Sequence, residues 1–141
     1  MDDESPRDDF LDRMVSLCRL LGIEAPPDQQ GDVIAYRLDI DETTFVLTHS
    51  AIDGPRSFLA QCTLGNLPPN DREASLTDLL QTNASLGQRG LGALGLDAEG
   101  REVNCLTRID LSHPDVSVLA TLLDVREVAR EWGQRLWASS K

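Results

Sequence analysis

Apolar residues recur along the first half of the chain with two different periods, and each period predicts a different element. From residue 8 or 9 to about residue 21 they recur at every third or fourth position, with Gly22 just beyond. This spacing is typical of an amphipathic helix that ends at a glycine. Between residues 34 and 64 they alternate with polar residues in three runs, and Asp41-Glu42 separates the first two. Alternation predicts three strands in an antiparallel meander.

The second half of the chain shows the same two periods of apolar residues. Helical spacing from Asn70 or Asp71 to about Leu86 predicts a second helix, and alternating positions predict strands around 91–96 and 102–111. Ser112 is a candidate N-cap for a final helix of about 22 residues. The predicted order is α-β-β-β-α-β-β-α, an α+β fold with a mainly antiparallel sheet packed against helices. Residues 1–7 are predicted to be a loose acidic N-terminus, and 8–141 a single domain.

The stretch GLGALG, residues 90–95, matches the glycine fingerprint of dinucleotide-binding turns. That fingerprint requires a preceding strand and a following helix, whereas here a helix precedes and strands follow. Structural use of the glycines is therefore favoured. We expect Gly87 to end the second helix, and Gly92 and Gly95 to allow close backbone packing.

Charge and cysteine content limit the classes of partner and of site that we expect. The chain of 141 residues has 24 acidic and 13 basic residues, a formal net charge of −11. Because the basic residues are scattered, neither nucleic acid nor an anionic membrane is an expected partner. The chain also has no apolar run long enough to span a bilayer and no secretory signal at its N-terminus. Cys18, Cys62 and Cys105 have no metal-site or redox spacing, so we interpret them as core residues of a cytoplasmic protein.

Catalytic chemistry has little support in the sequence. The two histidines, His49 and His113, have no partners at a spacing that builds a catalytic or zinc site, and we interpret them as surface or capping residues. Asp39, Asp41 and Thr43 resemble the start of a calcium loop, but the required glycine and final glutamate are missing. We therefore predict no enzyme activity, no cofactor and no metal.

A more specific signal comes from LTDLLQTNASLG (76–87) followed by GLGALGLDAEGREV (90–103). The residues that carry it are Leu79-Leu80, Asn83, Leu96-Asp97, Gly100 and, in the last helix, Glu131-Trp132. With the order of elements, they make residues 8–138 resemble the class I type III secretion chaperones, the Tir-type chaperone family.

The resemblance implies a homodimer that holds the N-terminal segment of a secreted effector in an extended, export-competent form. It places the second helix and the fourth strand near the twofold axis. The implied dimer contacts are Leu76, Leu79, Leu80, Leu91 and Leu94. An apolar stripe usually faces the core, so core packing is the more common role for any one of the candidate effector contacts. These candidates are Phe10, Met14, Leu17, Leu21, Tyr36, Leu38, Phe45 and Leu47.

Two other interpretations remain open at this point. One is a YbjN-like regulatory or interaction domain of similar α/β shape without a secretion role. The other is a small enzyme whose site has no recognisable sequence pattern.

Overall fold

The computed structural model describes residues 5–25, 27 and 29–139. The elements in chain order are α1 (Pro6–Leu21), β1 (Val33–Ile40), β2 (Thr43–Ser50), β3 (Ser57–Asn66), α2 (Arg72–Arg89), β4 (Ala93–Leu96), β5 (Glu102–Asp110) and α3 (Asp115–Ser139). The strands form one five-stranded sheet in the order β1-β2-β3-β5-β4. The predicted order of elements and the α+β class are confirmed.

Helix α1 begins at Pro6, two or three residues before the predicted start. The Ser5 hydroxyl accepts a hydrogen bond from the Asp8 N–H, and Pro6 occupies the first turn, where its missing N–H costs nothing. Part of the predicted loose N-terminus is therefore helical, while residues 1–4 lie outside the described residues. At the other end Gly22 adopts a left-handed conformation (φ 71°) and closes the helix as predicted.

Strands β1 and β2 form a hairpin with the shortest common loop. Asp41 and Glu42 have φ values of 44° and 71°, the left-handed pair that matches the twist of adjoining antiparallel strands. The register pairs Ile40 with Thr43 and continues to Val33 with Ser50. Burial alternates strictly along β1, so one face of the hairpin packs inward and the other faces solvent.

Helix α2 and the glycines after it differ from the prediction in two respects. The helix continues through Gly87 and ends at Gly90, whose left-handed backbone donates to the carbonyl oxygens of Gly87 and Leu86. The prediction that Gly87 ends the helix was wrong, because a single glycine costs a helix only about 1 kcal/mol and does not stop it. Asp71 is the N-cap residue as expected, but its side chain makes no capping hydrogen bond.

The expected close packing occurs at Gly92 and not at Gly95. A Cβ atom at Gly92 would lie 2.1 Å from the carbonyl oxygen of Leu106 in β5, and the residue has φ +97°. At Gly95 the same atom would meet nothing within 4 Å. Only Gly92 is therefore required by the backbone, at the entrance to β4.

Helix α3 begins at Asp115, later than a Ser112 cap would place it. The Ser112 N–H donates instead to the Asp110 carboxylate (2.8 Å), and the His113 N–H donates to the Asp110 carbonyl (3.1 Å). These bonds form a turn in place of a helix start, because an aspartate side chain competes well for nearby N–H groups. The backbone N–H and the hydroxyl of Ser112, through their hydrogen bonds to the carboxylate, hold the pKa of Asp110 below its ordinary value.

Contacts along the chain cluster in two compact units, Met1–Ala60 with Arg108–Ala120, and Gln61–Thr107 with Thr121–Lys141. In the first unit Phe10, Leu17, Phe45 and Phe58 are fully buried. The second has its own apolar interior, with these buried residues: Leu79, Leu86, Leu94, Val103, Cys105, Leu122, Val125 and Trp132. The three cysteines are buried and unpaired with one another, in agreement with their interpretation as core residues.

Candidate functional site

The predicted effector contacts lie in the interior of the first unit. Phe10, on α1, is the centre of an aromatic cluster, with ring centroids 6.1 Å from Tyr36 and 5.4 Å from Phe58. Seven of the eight predicted residues are buried and Leu21, at the end of α1, is partly exposed. The structure thus brings together Phe10, Met14, Leu17, Tyr36, Leu38, Phe45 and Leu47 by packing α1 on the inward face of the β1–β2 hairpin. Their role as effector contacts stays a prediction.

His49 belongs to the same interior, which contradicts its interpretation as a surface or capping residue. It is 1% exposed, its ring stacks on Phe10 at a centroid distance of 5.2 Å, and its Nε2 lies 2.8 Å from the carbonyl oxygen of Pro55. The alternation of β2 could have revealed this, because His49 shares the parity of Phe45 and Leu47. His113 is exposed in the turn before α3, as expected of a surface residue.

The predicted dimer contacts divide into two groups. Leu79, Leu91 and Leu94 are buried within the protomer and Leu76 is partly buried. Leu80, by contrast, is 67% exposed on α2. The exposed Ala84 and Gly87 follow at i+4 and i+7, so the helix presents a stripe with one large apolar side chain and then two small residues.

A second candidate binding surface is the backbone edge of each outermost strand, where no further strand of the sheet is paired. At β1, the side-chain amide of Gln29 pairs with the backbone of Ala35. Gln29 Nε2 donates to the Ala35 carbonyl (2.5 Å), and the Ala35 N–H donates to Gln29 Oε1 (3.1 Å). The carboxamide therefore makes the two hydrogen bonds that a neighbouring strand would make.

At β4, the other outermost strand, Asn83 of α2 does the same for Leu94. Asn83 Nδ2 donates to the Leu94 carbonyl (2.9 Å) and the Leu94 N–H donates to Asn83 Oδ1 (2.5 Å). Both bonds are partly buried. Asn83 is one of the residues that carried the family resemblance, and its structural task is to attach α2 to the edge of β4.

Several exposed apolar side chains were not singled out from the sequence. The most exposed are Val116 (74%), Ile52 (71%) and Val33 (62%). Val33 and the less exposed Val46 lie on the solvent face of the β1–β2 hairpin. Strict alternation would have assigned Val33 to that face, since it is out of phase with Ile34, Tyr36 and Leu38.

A groove of about 320 Å³ lies between α2 and α3 in the second unit. Its floor includes Leu86, Val128 and Trp132, and its rim carries Asp78, Arg89 and Glu131.

In the described part of the chain, no group of three or more His, Cys, Asp or Glu side chains could hold a metal ion. Burial raises the pKa of the Cys62 thiol to about 12, with a contribution from nearby Cys105, so this thiol is a poor nucleophile.

The sequence matches the family model of the Tir chaperone protein (CesT) family over residues 15–130. The chain belongs to the CesT family. The expectation of a type III secretion chaperone is confirmed at the level of this family, and the YbjN-like alternative is not favoured. No curated protein matches the sequence significantly.

Solved structures with a similar fold include chaperone–effector complexes. A chain of the ExsC–ExsE complex has a TM-score of 0.70 at 15% identity, covering 96% of this CesT-family chain and 97% of that chain. A chain of the HopA1–SchA chaperone–effector complex has a TM-score of 0.71 at 17% identity, with coverages of 94% and 99%. A chain of the heterodimeric ExoU–SpcU complex of the Pseudomonas aeruginosa type III secretion system has a TM-score of 0.64 at 22% identity, with coverages of 87% and 97%.

Proposed function

We propose that this protein is a homodimeric chaperone that binds the N-terminal segment of a secreted effector and keeps it extended and export-competent. The observation that carries the proposal is the match to the CesT family over residues 15–130. The similarity of the fold to a chain of the HopA1–SchA chaperone–effector complex supports it. A chaperone of this kind works by binding, so we include in the proposal that it has no catalytic activity and no cofactor.

A cytoplasmic location is part of the proposal, because the client must be bound before it is exported. Among the described residues, none of the helices has both the length and the apolar character needed to cross a bilayer. The acidic excess, 24 acidic against 13 basic residues, would keep a protein with exposed apolar contact surfaces from associating nonspecifically.

Two sets of groups in the first unit would contact the client. The exposed Leu20 and Val33 and the outer backbone edge of β1, apart from the Ala35 groups bound by Gln29, are accessible to a client in the present conformation. The buried set around Phe10, including Met14 and Tyr36, would become accessible only if α1 moved from the hairpin. An extended client would thus first use backbone hydrogen bonds at a strand edge and apolar contacts beside it.

The decisive experiment is co-expression of the full chain with N-terminal and C-terminal fragments of secreted proteins from the bacterium that encodes it. We expect one or more N-terminal fragments to stay soluble and co-purify with the chain, and their C-terminal counterparts not to. Calorimetric titration should then give a clearly negative heat-capacity change, because binding buries on the order of 1,000–3,000 Å². Failure of every N-terminal fragment to bind would reject the proposal.

The dimer rests on the exposed stripe of α2. Leu80 is 67% exposed, and Ala84 and Gly87 leave room for close approach of a second helix. Light scattering should give twice the chain mass at micromolar concentration. Leu80→Glu should shift the mass to that of one chain, whereas Val116→Glu, a charge at an equally exposed valine on α3, should leave the dimer intact. Equal effects of the two substitutions would contradict an α2 interface.

A further inference from the structure

The hairpin register determines which backbone groups of β1 face outward. The two-residue loop makes Ile40 and Thr43 a hydrogen-bonded pair, so Ile40, Leu38, Tyr36 and Ile34 direct their N–H and C=O groups toward β2. The backbone groups of the intervening residues point away from β2. These residues are Val33, Ala35, Arg37 and Asp39. Because β1 is the last strand of the sheet, their N–H and C=O groups form its open edge.

Gln29 occupies the centre of this edge. Its carboxamide takes both the N–H and the C=O of Ala35, at 3.1 Å and 2.5 Å. Both hydrogen bonds are exposed to solvent, and Gln29 precedes Ala35 by only six residues. A side chain in this position satisfies the same two groups that an added strand would need.

We propose that Gln29 is a displaceable lock on the β1 edge, and that an extended client segment replaces its carboxamide at Ala35 when it adds to the sheet as a sixth strand. The identity of the occupant rests on the proposed chaperone function. The lock would have two effects. It would block edge-to-edge pairing between copies of the unloaded chaperone, and it would restrict strand addition to segments that can replace both hydrogen bonds at Ala35.

Exposure of the two bonds makes displacement inexpensive. Solvent competes for both groups in the unloaded protein, so each bond contributes only the small net amount typical of an exposed hydrogen bond. The client recovers both bonds at Ala35 and gains further ones at Val33, Arg37 and Asp39. Each residue of the edge beyond Ala35 that the segment pairs with therefore adds to the gain that offsets the entropy of ordering it.

The first test measures the lock without any client. Backbone amide hydrogen exchange is followed by NMR in the wild-type chain, in Gln29→Ala and in the control Gln30→Ala, which changes the exposed neighbouring residue. Gln29→Ala should accelerate exchange of the Ala35 amide about fivefold. Exchange at Tyr36 and Leu38, which face β2, should stay unchanged, and Gln30→Ala should behave like the wild type. Unchanged exchange at Ala35 in Gln29→Ala would overturn the proposal.

The second test measures displacement with a defined probe, a labelled eight-residue peptide of alternating valine and threonine. It should bind Gln29→Ala about fivefold more tightly than the wild type, because no carboxamide has to be displaced. A copy N-methylated at every residue lacks backbone N–H donors on both strand edges and should lose this gain. Equal affinity of the peptide for both proteins, or an equal gain for the methylated copy, would overturn displacement.

The outcomes separate this proposal from the chaperone function. If the exchange and peptide tests fail while an effector fragment still co-purifies with the chain, the client binds without replacing Gln29. If both tests succeed while no effector fragment binds, the lock exists at this edge and the assignment of an effector as its occupant is wrong.

Discussion

On each of the two outermost strands of the sheet, a side-chain amide hydrogen-bonds to backbone groups of the strand, but the two pairs of bonds differ in solvent exposure. On β1 the carboxamide of Gln29 pairs with Ala35 in two solvent-exposed hydrogen bonds. On β4 the carboxamide of Asn83 pairs with Leu94 in two partly buried ones. The first amide comes from the segment just before its strand and the second from a long helix. Identical hydrogen bonds can therefore serve a replaceable contact at one edge and a permanent one at the other.

A glycine shortly before each edge strand extends this comparison. Gly31 lies two residues before the first residue of β1 and has φ +110°, and the nearest atom to an added Cβ is 3.9 Å away. Gly92 precedes β4 with φ +97°, where the same atom would lie 2.1 Å from the Leu106 carbonyl oxygen. Both strands thus need a glycine conformation at the entrance, but only β4 is also crowded by backbone.

The largest effect is expected from alanine at these two glycines. Gly92→Ala should lower the free energy of unfolding by more than ~3 kcal/mol, because backbone strain and a clash with β5 add together. Gly31→Ala should cost about 1 kcal/mol, since it introduces strain alone. Urea denaturation of both variants measures this, with Gly95→Ala as the unstrained control near zero. Equal costs at positions 31 and 92 would remove the distinction between the two entrances.

A smaller effect is expected from loss of the two amides. Asn83→Ala should lower the free energy of unfolding by about 2 kcal/mol, because it leaves a partly buried N–H and C=O of Leu94 without a partner. Gln29→Ala should cost no more than ~1 kcal/mol, since water replaces the amide at an exposed strand. Chemical denaturation at neutral pH distinguishes the two. A Gln29→Ala cost as large as that of Asn83→Ala would show that the β1 edge is as permanent as the β4 edge.

The smallest effect concerns one aspartate in each hairpin. The pKa of Asp39 on β1 is lowered chiefly by the Thr44 hydroxyl, and the pKa of Asp97 after β4 by the backbone N–H groups of Arg101 and Glu102. A lowered pKa in the folded state stabilises the protein at neutral pH, and this contribution is lost as pH falls below about 4.

We therefore expect Asp97→Asn and Asp39→Asn each to destabilise the protein slightly at pH 7, with the larger change at Asp97. In both cases the difference from the wild type should shrink when unfolding is measured at pH 3. A difference that stays constant between pH 7 and pH 3 would mean that the charge on these carboxylates makes no contribution.

Local spacing predicted the elements well because it depends on burial alone. Ile34, Tyr36 and Leu38 occupy every second position of β1, and this spacing alone indicates which side of the strand packs inward. It can be read from the sequence without knowing which element packs against the strand. The hydrogen bonds of single residues at the ends of elements were harder to predict. Whether Ser112 or Asp110 engages the nearby N–H groups depends on a competition between two side chains of similar strength, and the winner is decided by the turn that each one stabilises.

The candidate site was less predictable than the fold, for a physical reason. An apolar side chain such as Phe10 or Leu47 has the same pattern whether it faces the interior or a bound client, so spacing cannot separate the two roles. The amides that bind the two strand edges belong to Gln29 and Asn83. Their partners are backbone atoms, which every residue has, so the sequence does not show which residue each amide binds. Asn83 was noticed through the family resemblance, and Gln29 only through its contacts.

The burial of Cys18, Cys62 and Cys105 has a practical consequence for spectroscopy. Burial raises the pKa of all three thiols, so few thiolates are present at neutral pH and reagents cannot easily reach the sulfur atoms. A cysteine introduced at an exposed position such as Gln30 or Gln88 would react first with a maleimide dye. Fluorophores can therefore be attached at such positions while the native cysteines stay in place.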